Sequence, residues 1–150
     1  MAETGAVVDP FRAYNWRLDI GNAAMAYFTA CSGPGVNVEV IKWREAGNRQ
    51  IVRNIPGMVH YEPITLYYGL TTSRDVFDWL VSGVSGRADR RNVSIIMLNS
   101  EGNEDGAGVR WNLEATWVAS WRGPRLDSLR PESPLAMESV VLVFDRLTRT

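Results

Sequence analysis

The stretch Val109–Arg122, with the sequence VRWNLEATWVASWR, decides the fold class of this chain. Apolar side chains occupy every odd position from Val109 to Trp121, and polar ones occupy the even positions apart from Val118. A period of two is that of a β-strand, whose successive side chains point to opposite faces. Because the segment is longer than the usual five or six residues, we expect the strand to bend at a bulge or to serve two sheets.

Shorter segments, most of them with the same period of two, predict further strands. They are Tyr14–Ile20, Phe28–Ser32, Val36–Trp43, Ile64–Tyr68, Val93–Leu98 and Ala136–Asp145. One segment has helical spacing instead, through Val76, Leu80 and Val84, with a predicted N-cap at Thr72. The sequence therefore predicts a mainly β protein, a small β-barrel or sandwich with one flanking α-helix, in a single domain over residues 1–150.

Composition excludes several classes of protein. Sixteen basic and seventeen acidic residues leave a net charge of -1, so there is no overall field that would attract nucleic acid or anionic lipid. One cysteine and one histidine supply neither an internal disulfide nor a Cys/His zinc site. No segment approaches the roughly 18 apolar residues that span a bilayer, and Met1–Pro10 lacks the apolar run of a signal peptide. We expect a chain made in the cytosol, with no membrane anchoring and no metal.

Candidate chemistry reduces to the single pair Cys31 and His60, which would have to serve as nucleophile and base. A small buried side chain and an exposed loop imidazole are the favoured interpretation. The acidic turn at 101–106 lacks the residue order of a calcium loop, and no phosphate-binding glycine motif is present. We predict no catalytic, cofactor or metal site and no enzymatic activity. A Cys31/His60 hydrolase is kept as a third hypothesis.

The six tryptophans support the second hypothesis, a small-ligand or carbohydrate-binding β-barrel, because indole rings stack on sugars and bases. Trp111, Trp117 and Trp121, however, are in phase with the apolar face of their strand. Packing in the core or between subunits is the favoured interpretation of these three residues.

Several strands carry apolar side chains on their second face as well. They are Ile41, Trp43, Tyr67, Val118, Val141 and Val143. A sandwich of this size has one interior, so extra apolar faces indicate burial against copies of the chain or a partner. Between Arg44 and His60 the alternation fails, and a loop of that length is uncommon in a compact domain unless it is functional. The residues predicted to make inter-subunit contacts are Arg44, Glu45, Arg49, Arg53, Ile41, Trp43, Val141 and Val143.

Short segments along the chain occur in the order of a known family. They are Asp9–Arg12 with Tyr14–Ile20, Val38–Ile41 with Trp43–Gly47, Ile55–Gly57, Tyr61, Ile64–Leu66, Val76–Trp79, Arg90–Ile95, Trp111–Leu113 and Ala136–Val140. Together they extend over about Asp9–Leu147, and they resemble the phage tail-tube proteins of the T4 type, a family that includes inner-tube proteins of extracellular contractile injection systems. Type VI secretion tube proteins are similar more distantly.

The resemblance implies a tail-tube, type VI tube-like architecture whose copies form hexameric rings, stacked into a hollow tube inside a contractile sheath. Residues 1–9 would form an N-terminal arm and residues 44–60 an extended inter-subunit loop. The implied partners are other copies of the chain, a sheath protein, baseplate or tube-initiator and cap proteins, and cargo protein or DNA in the lumen. The chain would be synthesised in the bacterial cytoplasm and become part of a phage tail or an extracellular injection particle. The sequence is compatible with both kinds of particle.

Overall fold

The computed structural model describes residues 14–21, 23–25, 28–47, 50–70, 74–99, 108–129 and 135–150. In these ranges the chain forms ten strands and one helix. They are β1 (Trp16–Ile20), β2 (Ala23–Met25), β3 (Phe28–Cys31), β4 (Gly35–Trp43), β5 (Arg53–Glu62), β6 (Ile64–Gly69), α1 (Asp75–Val84), β7 (Arg91–Met97), β8 (Arg110–Arg122), β9 (Met137–Val143) and β10 (Arg146–Arg149). The prediction of a mainly β protein is confirmed, and β2, β5 and β10 were missed.

Eight of the strands form one antiparallel sheet that wraps around the core. Their order is β2-β1-β7-β8-β9-β6-β3, and β10 also pairs with β8. The first half of β8 pairs with β7 and β10, whereas its second half pairs with β9. This long strand was expected to bend at a bulge or to serve two sheets, and it belongs to one sheet whose two halves it joins, with a register shift in each half.

Two β-bulges in β8 change which of its side chains face the core. The register with β7 shifts between the pairs Val93–Leu113 and Arg91–Thr116, and Ala115 there has φ 55°. Asn92 Oδ1 accepts a hydrogen bond from the Ala115 amide at 3.3 Å, which satisfies a donor that the bulge removes from the ladder. As a result, the next side chain of β8 to face the core after Leu113 is Thr116, and the simple alternation of buried positions is broken.

The bulge corrects the predicted alternation. Val118, which was predicted to point away from its strand's main set, is buried in the core at 5% exposure. Trp117, predicted on the core face, lies on the opposite side of β8, since its neighbours Thr116 and Val118 face inward. The second shift, between Val118 and Ser120 in the register with β9, returns Trp121 to the core.

The core is built from side chains of both walls and of α1. Its buried members are Leu18, Ile20, Ile64, Leu66, Tyr68, Trp79, Val93, Ile95, Leu113, Val118, Val140, Leu142 and Phe144. Trp79 anchors the helix there, and its Nε1 donates a hydrogen bond to the Asp89 carbonyl oxygen at 2.6 Å. Phe77, Val81 and Val84 remain exposed on the other side of the helix.

The helix begins later than the sequence predicts. Its N-cap is Arg74, which makes no side-chain capping hydrogen bond, and the predicted N-cap, Thr72, lies outside the described residues. Within the described ranges, no helix has the length and apolar content needed to cross a membrane.

The remaining two strands, β4 and β5, form a separate two-stranded sheet, here called the hairpin. Its register extends from Gly35–Glu62 at the base to Trp43–Arg53 at the tip, with one irregularity between Val38 and Val40. The predicted loop over residues 44–60 was therefore wrong in its second half, because β5 begins at Arg53 and the connection covers only residues 44–52. Pro56 and Gly57 resemble a turn in the sequence but lie within this exposed strand.

Candidate functional site

The hairpin extends from the body of the molecule and is attached to it at its base. The ring of Tyr61, in β5, packs against Phe144 of the core with 5.6 Å between the ring centroids. Beyond that point, among the described elements, β4 and β5 make extensive contacts only with each other. Nine residues in β4 give the hairpin a length of about 30 Å at roughly 3.3 Å per residue.

One face of the hairpin is apolar from its base as far as Val40, and the polar pair Lys42–Asn54 follows on this side at the tip. The alternation of strand side chains and the register place Val36, Val38 and Val40 of β4 on the same side as Val59 of β5. We call this side the valine face. All four residues are exposed, and Val40 reaches 60%. In the described chain, this surface is apolar but has not been withdrawn from water.

The opposite side, here called the mixed face, is polar near its base and apolar near its tip. Asn37 and His60 form a register pair close to the base, and Ile41 pairs with Ile55 nearer the tip. Gly57 lies under Ile41, since a Cβ atom at this position would approach Ile41 Cδ1 to 3.0 Å. Glycine therefore leaves room for the isoleucine side chain to lie across the strand pair.

The structure divides the predicted inter-subunit residues between the hairpin and the body. Ile41, Trp43 and Arg53 come together at the tip, Arg44 and Glu45 follow β4 directly, and Val141 and Val143 lie in β9; Arg49 is outside the described residues. Sequence reasoning missed the valine face as a connected surface. The run Val36, Val38 and Val40 was read as one apolar face of a strand, but its exposure depends on the absence of a second layer, which no local pattern records.

A second apolar surface lies on the body, on the side of the sheet turned away from the core. Val143 pairs with Trp117 across β9 and β8, and Val141 pairs with Thr65 of β6. Their strand neighbours Val140 and Leu142 point inward and are buried. Together with the exposed Tyr67 of β6, the residues Trp117, Val141 and Val143 form what we call the outer apolar face. Trp117 belongs to it only because of the bulge at Ala115.

The other outer side of the sheet, over β1, β7 and the first half of β8, is polar. Asp19 accepts a hydrogen bond from Arg17 Nε at 3.0 Å and lies 3.6 Å from Arg110 Nη2. On the neighbouring strands, Ser94 Oγ donates to Asn112 Oδ1 at 2.9 Å. These polar and charged groups interact with one another, so this side differs chemically from the outer apolar face.

A cleft of about 380 Å³ lies beside β3, and Cys31 lines it together with Trp16 and Trp111. Thr29 contributes the one hydroxyl side chain among its described lining residues, so the cleft offers few of the polar groups that orient a sugar. Burial raises the pKa of the Cys31 thiol to about 11. At neutral pH the thiol stays protonated and is a poor nucleophile.

His60 does not belong to this cleft. Cys31 lies in β3 of the large sheet and lines the cleft, whereas His60 lies in β5 on the mixed face of the hairpin. In the described ranges, no group of three or more His, Cys, Asp or Glu side chains could hold a metal ion.

Comparison with family models identifies one match over nearly the whole chain. A model described as T4-like virus tail tube protein gp19 matches residues 12–148. No curated protein sequence matches the chain. The resemblance stated from the sequence is confirmed by this match.

Solved structures of tube-like proteins share the fold. A chain of the tube-terminating cap of the anti-feeding prophage is 24% identical with a TM-score of 0.83, over 100% of this chain and 99% of the other. A chain of the extended sheath–tube complex of the extracellular contractile injection system PVC is 21% identical with a TM-score of 0.83, over the same fractions. Hcp1 from Flavobacterium johnsoniae is 11% identical with a TM-score of 0.54, over 91% and 94%. At these identities the similarity shows a common fold.

Proposed function

Because the chain belongs to the T4-like virus tail tube protein gp19 family, we propose that it is a structural subunit of the inner tube of a contractile tail or injection system. In this function six copies form a ring, and rings stack around a hollow lumen that passes DNA or an effector protein. The hairpin, with apolar side chains exposed on both faces, is the observation that carries this proposal.

The exposed hairpin is difficult to explain in an isolated molecule. A two-stranded hairpin is at best marginally stable in water without packing against another layer. Each half-exposed valine or isoleucine on it forgoes on the order of 1 kcal/mol of burial free energy. Packing against further copies of the chain recovers this free energy, and such a contact is heterologous, since the hairpin and its receptor are different surfaces.

The charged residues near the tip would set the rotation between rings. Arg44, Glu45, Arg49 and Arg53 lie in or beside the connection between β4 and β5. A single exposed ion pair contributes about 0–1 kcal/mol, but the same pair is repeated in every subunit along a tube. Favourable pairing at one rotation and like-charge contact at others select a fixed helical geometry.

The partners follow from the family. The similar chains come from a tube-terminating cap and from a sheath–tube complex, so we infer that this subunit contacts its own copies, a surrounding sheath and the proteins that initiate and cap the tube. The subunit would be made in the bacterial cytoplasm and function within an assembled tail or extracellular particle. It acts as a conduit and performs no catalysis.

Electron microscopy and analytical ultracentrifugation of the purified protein test the proposal. We expect rings or tubes, and a protein that stays monomeric at high concentration contradicts it. Arg53→Glu should shorten the tubes while leaving the subunit folded, because Arg53 lies at the hairpin tip opposite Trp43. Arg149→Glu, an exposed substitution in β10, is the matched control and should leave tube length unchanged.

A further inference from the structure

We propose that the valine face of the hairpin packs flat on the outer apolar face of another copy of the chain, as the second layer of an intermolecular β-sandwich. This inference rests on the proposed self-assembly and names the two surfaces that meet. The valine face is formed by Val36, Val38, Val40 and Val59, and the outer apolar face by Tyr67, Trp117, Val141 and Val143.

The two faces of the hairpin are unequal in a way that selects the valine face. The mixed face carries Asn37, Glu39 and His60 along its lower half, so covering it there would take polar groups out of water. Asn37 also donates a hydrogen bond from Nδ2 to Glu62 Oε1 on that side. The valine face has no such groups between Val36 and Val40, so contact along this length withdraws apolar area alone from water.

The same criterion, the cost of burying polar groups, selects the outer apolar face as the surface that the valine face contacts. The polar outer side of the sheet carries the Arg17–Asp19 ion pair and Arg110, and burying charges costs more than their pairing usually returns. The outer apolar face presents β-branched and aromatic side chains on a pleated surface, which suits face-to-face sheet packing at a spacing of about 10 Å. Both surfaces are apolar, and both belong to this chain.

The size of the contact indicates a repeated assembly of this chain. From Val36 to Val40 the valine face is about 17 Å long and about 10 Å wide, so it presents roughly 170 Å², well under the roughly 800 Å² that each partner contributes to a standard interface. One hairpin contact would therefore not hold a dimer. An array in which every copy gives one hairpin and receives another covers both surfaces throughout, whereas a different protein bound to either surface would leave the other exposed.

Cross-linking with a matched control tests this arrangement. On a Cys31→Ser background, Val38→Cys is combined with Val141→Cys, and assembled tubes are treated with a short flexible bis-maleimide. The control combines Asn37→Cys with Val141→Cys, because Asn37 precedes Val38 but points to the mixed face. We expect covalent dimers and higher multimers on denaturing gels from the Val38 pair, and none above background from the Asn37 pair.

Maleimide labelling of the single variants gives an independent measurement. On assembly, the labelling rate of Val38→Cys should fall by about tenfold or more, corresponding to an opening free energy of at least about 1.4 kcal/mol. The labelling rate of Asn37→Cys should change little. If Val38→Cys impairs assembly, it is diluted into an excess of unsubstituted subunits, so that tubes still form around it.

The outcomes separate the two proposals. Tubes that form while both cysteine pairs cross-link equally, or while neither does, overturn the packing proposed here and leave the tube function standing. Equal protection of Val38→Cys and Asn37→Cys has the same meaning. A subunit without substitutions that never assembles overturns the proposed function, and this inference with it.

Discussion

The strand β8 and the hairpin are the longest extended segments of the described chain. They differ in how far their apolar side chains are buried. β8 has partners on both edges and lies over a core, so Leu113, Thr116 and Val118 are almost fully buried. Within the described part of the chain no second layer covers the hairpin, and Val38 and Ile41 on its two faces stay nearly half exposed. The difference shows that a strand pattern specifies a surface, whereas burial depends on which surface lies opposite.

The largest expected effect comes from shortening a side chain in β8. Leu113 is 1% exposed and packs within the core formed by both walls, so Leu113→Ala leaves a cavity there. We expect the free energy of unfolding to fall by about 2–5 kcal/mol. Urea unfolding of the unassembled subunit, followed by tryptophan fluorescence, measures it. A loss below about 1 kcal/mol would mean that β8 is not the buried strand described here.

The bulge at Ala115 provides the next largest effect. Its φ of 55° lies in the left-handed region, where a β-branched side chain is strained. Ala115→Val should therefore destabilise the subunit by about 1–3 kcal/mol, and Ala115→Gly should be neutral or stabilising by up to about 1 kcal/mol. The same unfolding experiment compares the two variants. Equal effects of valine and glycine would contradict the bulge and the register shift that places Trp117 outside the core.

The bulge also shows which features of β8 could be predicted from the sequence and which could not. The period of two in β8 predicted a long strand that bends at a bulge or serves two sheets, because alternation over fourteen positions from Val109 to Arg122 depends on backbone geometry alone. The period of two could not locate the register shift at Ala115. The position of the extra residue depends on the hydrogen bonds with the partner strand and with the Asn92 side chain.

The hairpin was predicted less completely for a related reason. β4 was recognised by its alternation, whereas β5 was missed because Pro56, Gly57 and a register irregularity remove the period of two. The predicted inter-subunit role stays a prediction, and in the hairpin it was assigned to charged and mixed-face residues, not to the valine face. The continuous valine face depends on pairing between β4 and β5, which no window of the sequence contains.

A smaller effect is expected from the pH dependence of the free energy of unfolding, through Cys31 in the body of the molecule. Burial raises the pKa of Cys31 from 9.0 to about 11. The folded state therefore keeps a proton that the unfolded chain loses, so this contribution to stability is full below pH 9 and is lost as the pH rises towards 11. Urea unfolding at pH values across that window should show a steeper loss for the unsubstituted subunit than for Cys31→Ser. Parallel curves would contradict the raised pKa of this partly buried thiol.

The smallest expected effect on folding is that of a charge placed on the valine face. Val40 is 60% exposed, so Val40→Asp should change the free energy of unfolding of the free subunit by no more than about 0.5 kcal/mol. In an assembled contact the same carboxylate would be desolvated without a partner, and association should be lost over the concentration range in which the unsubstituted protein forms tubes. Val40→Thr keeps the shape of the side chain and should weaken assembly less. A loss of several kcal/mol in the free subunit would show that the hairpin is already packed within one copy, and the contrast between β8 and the hairpin would then disappear.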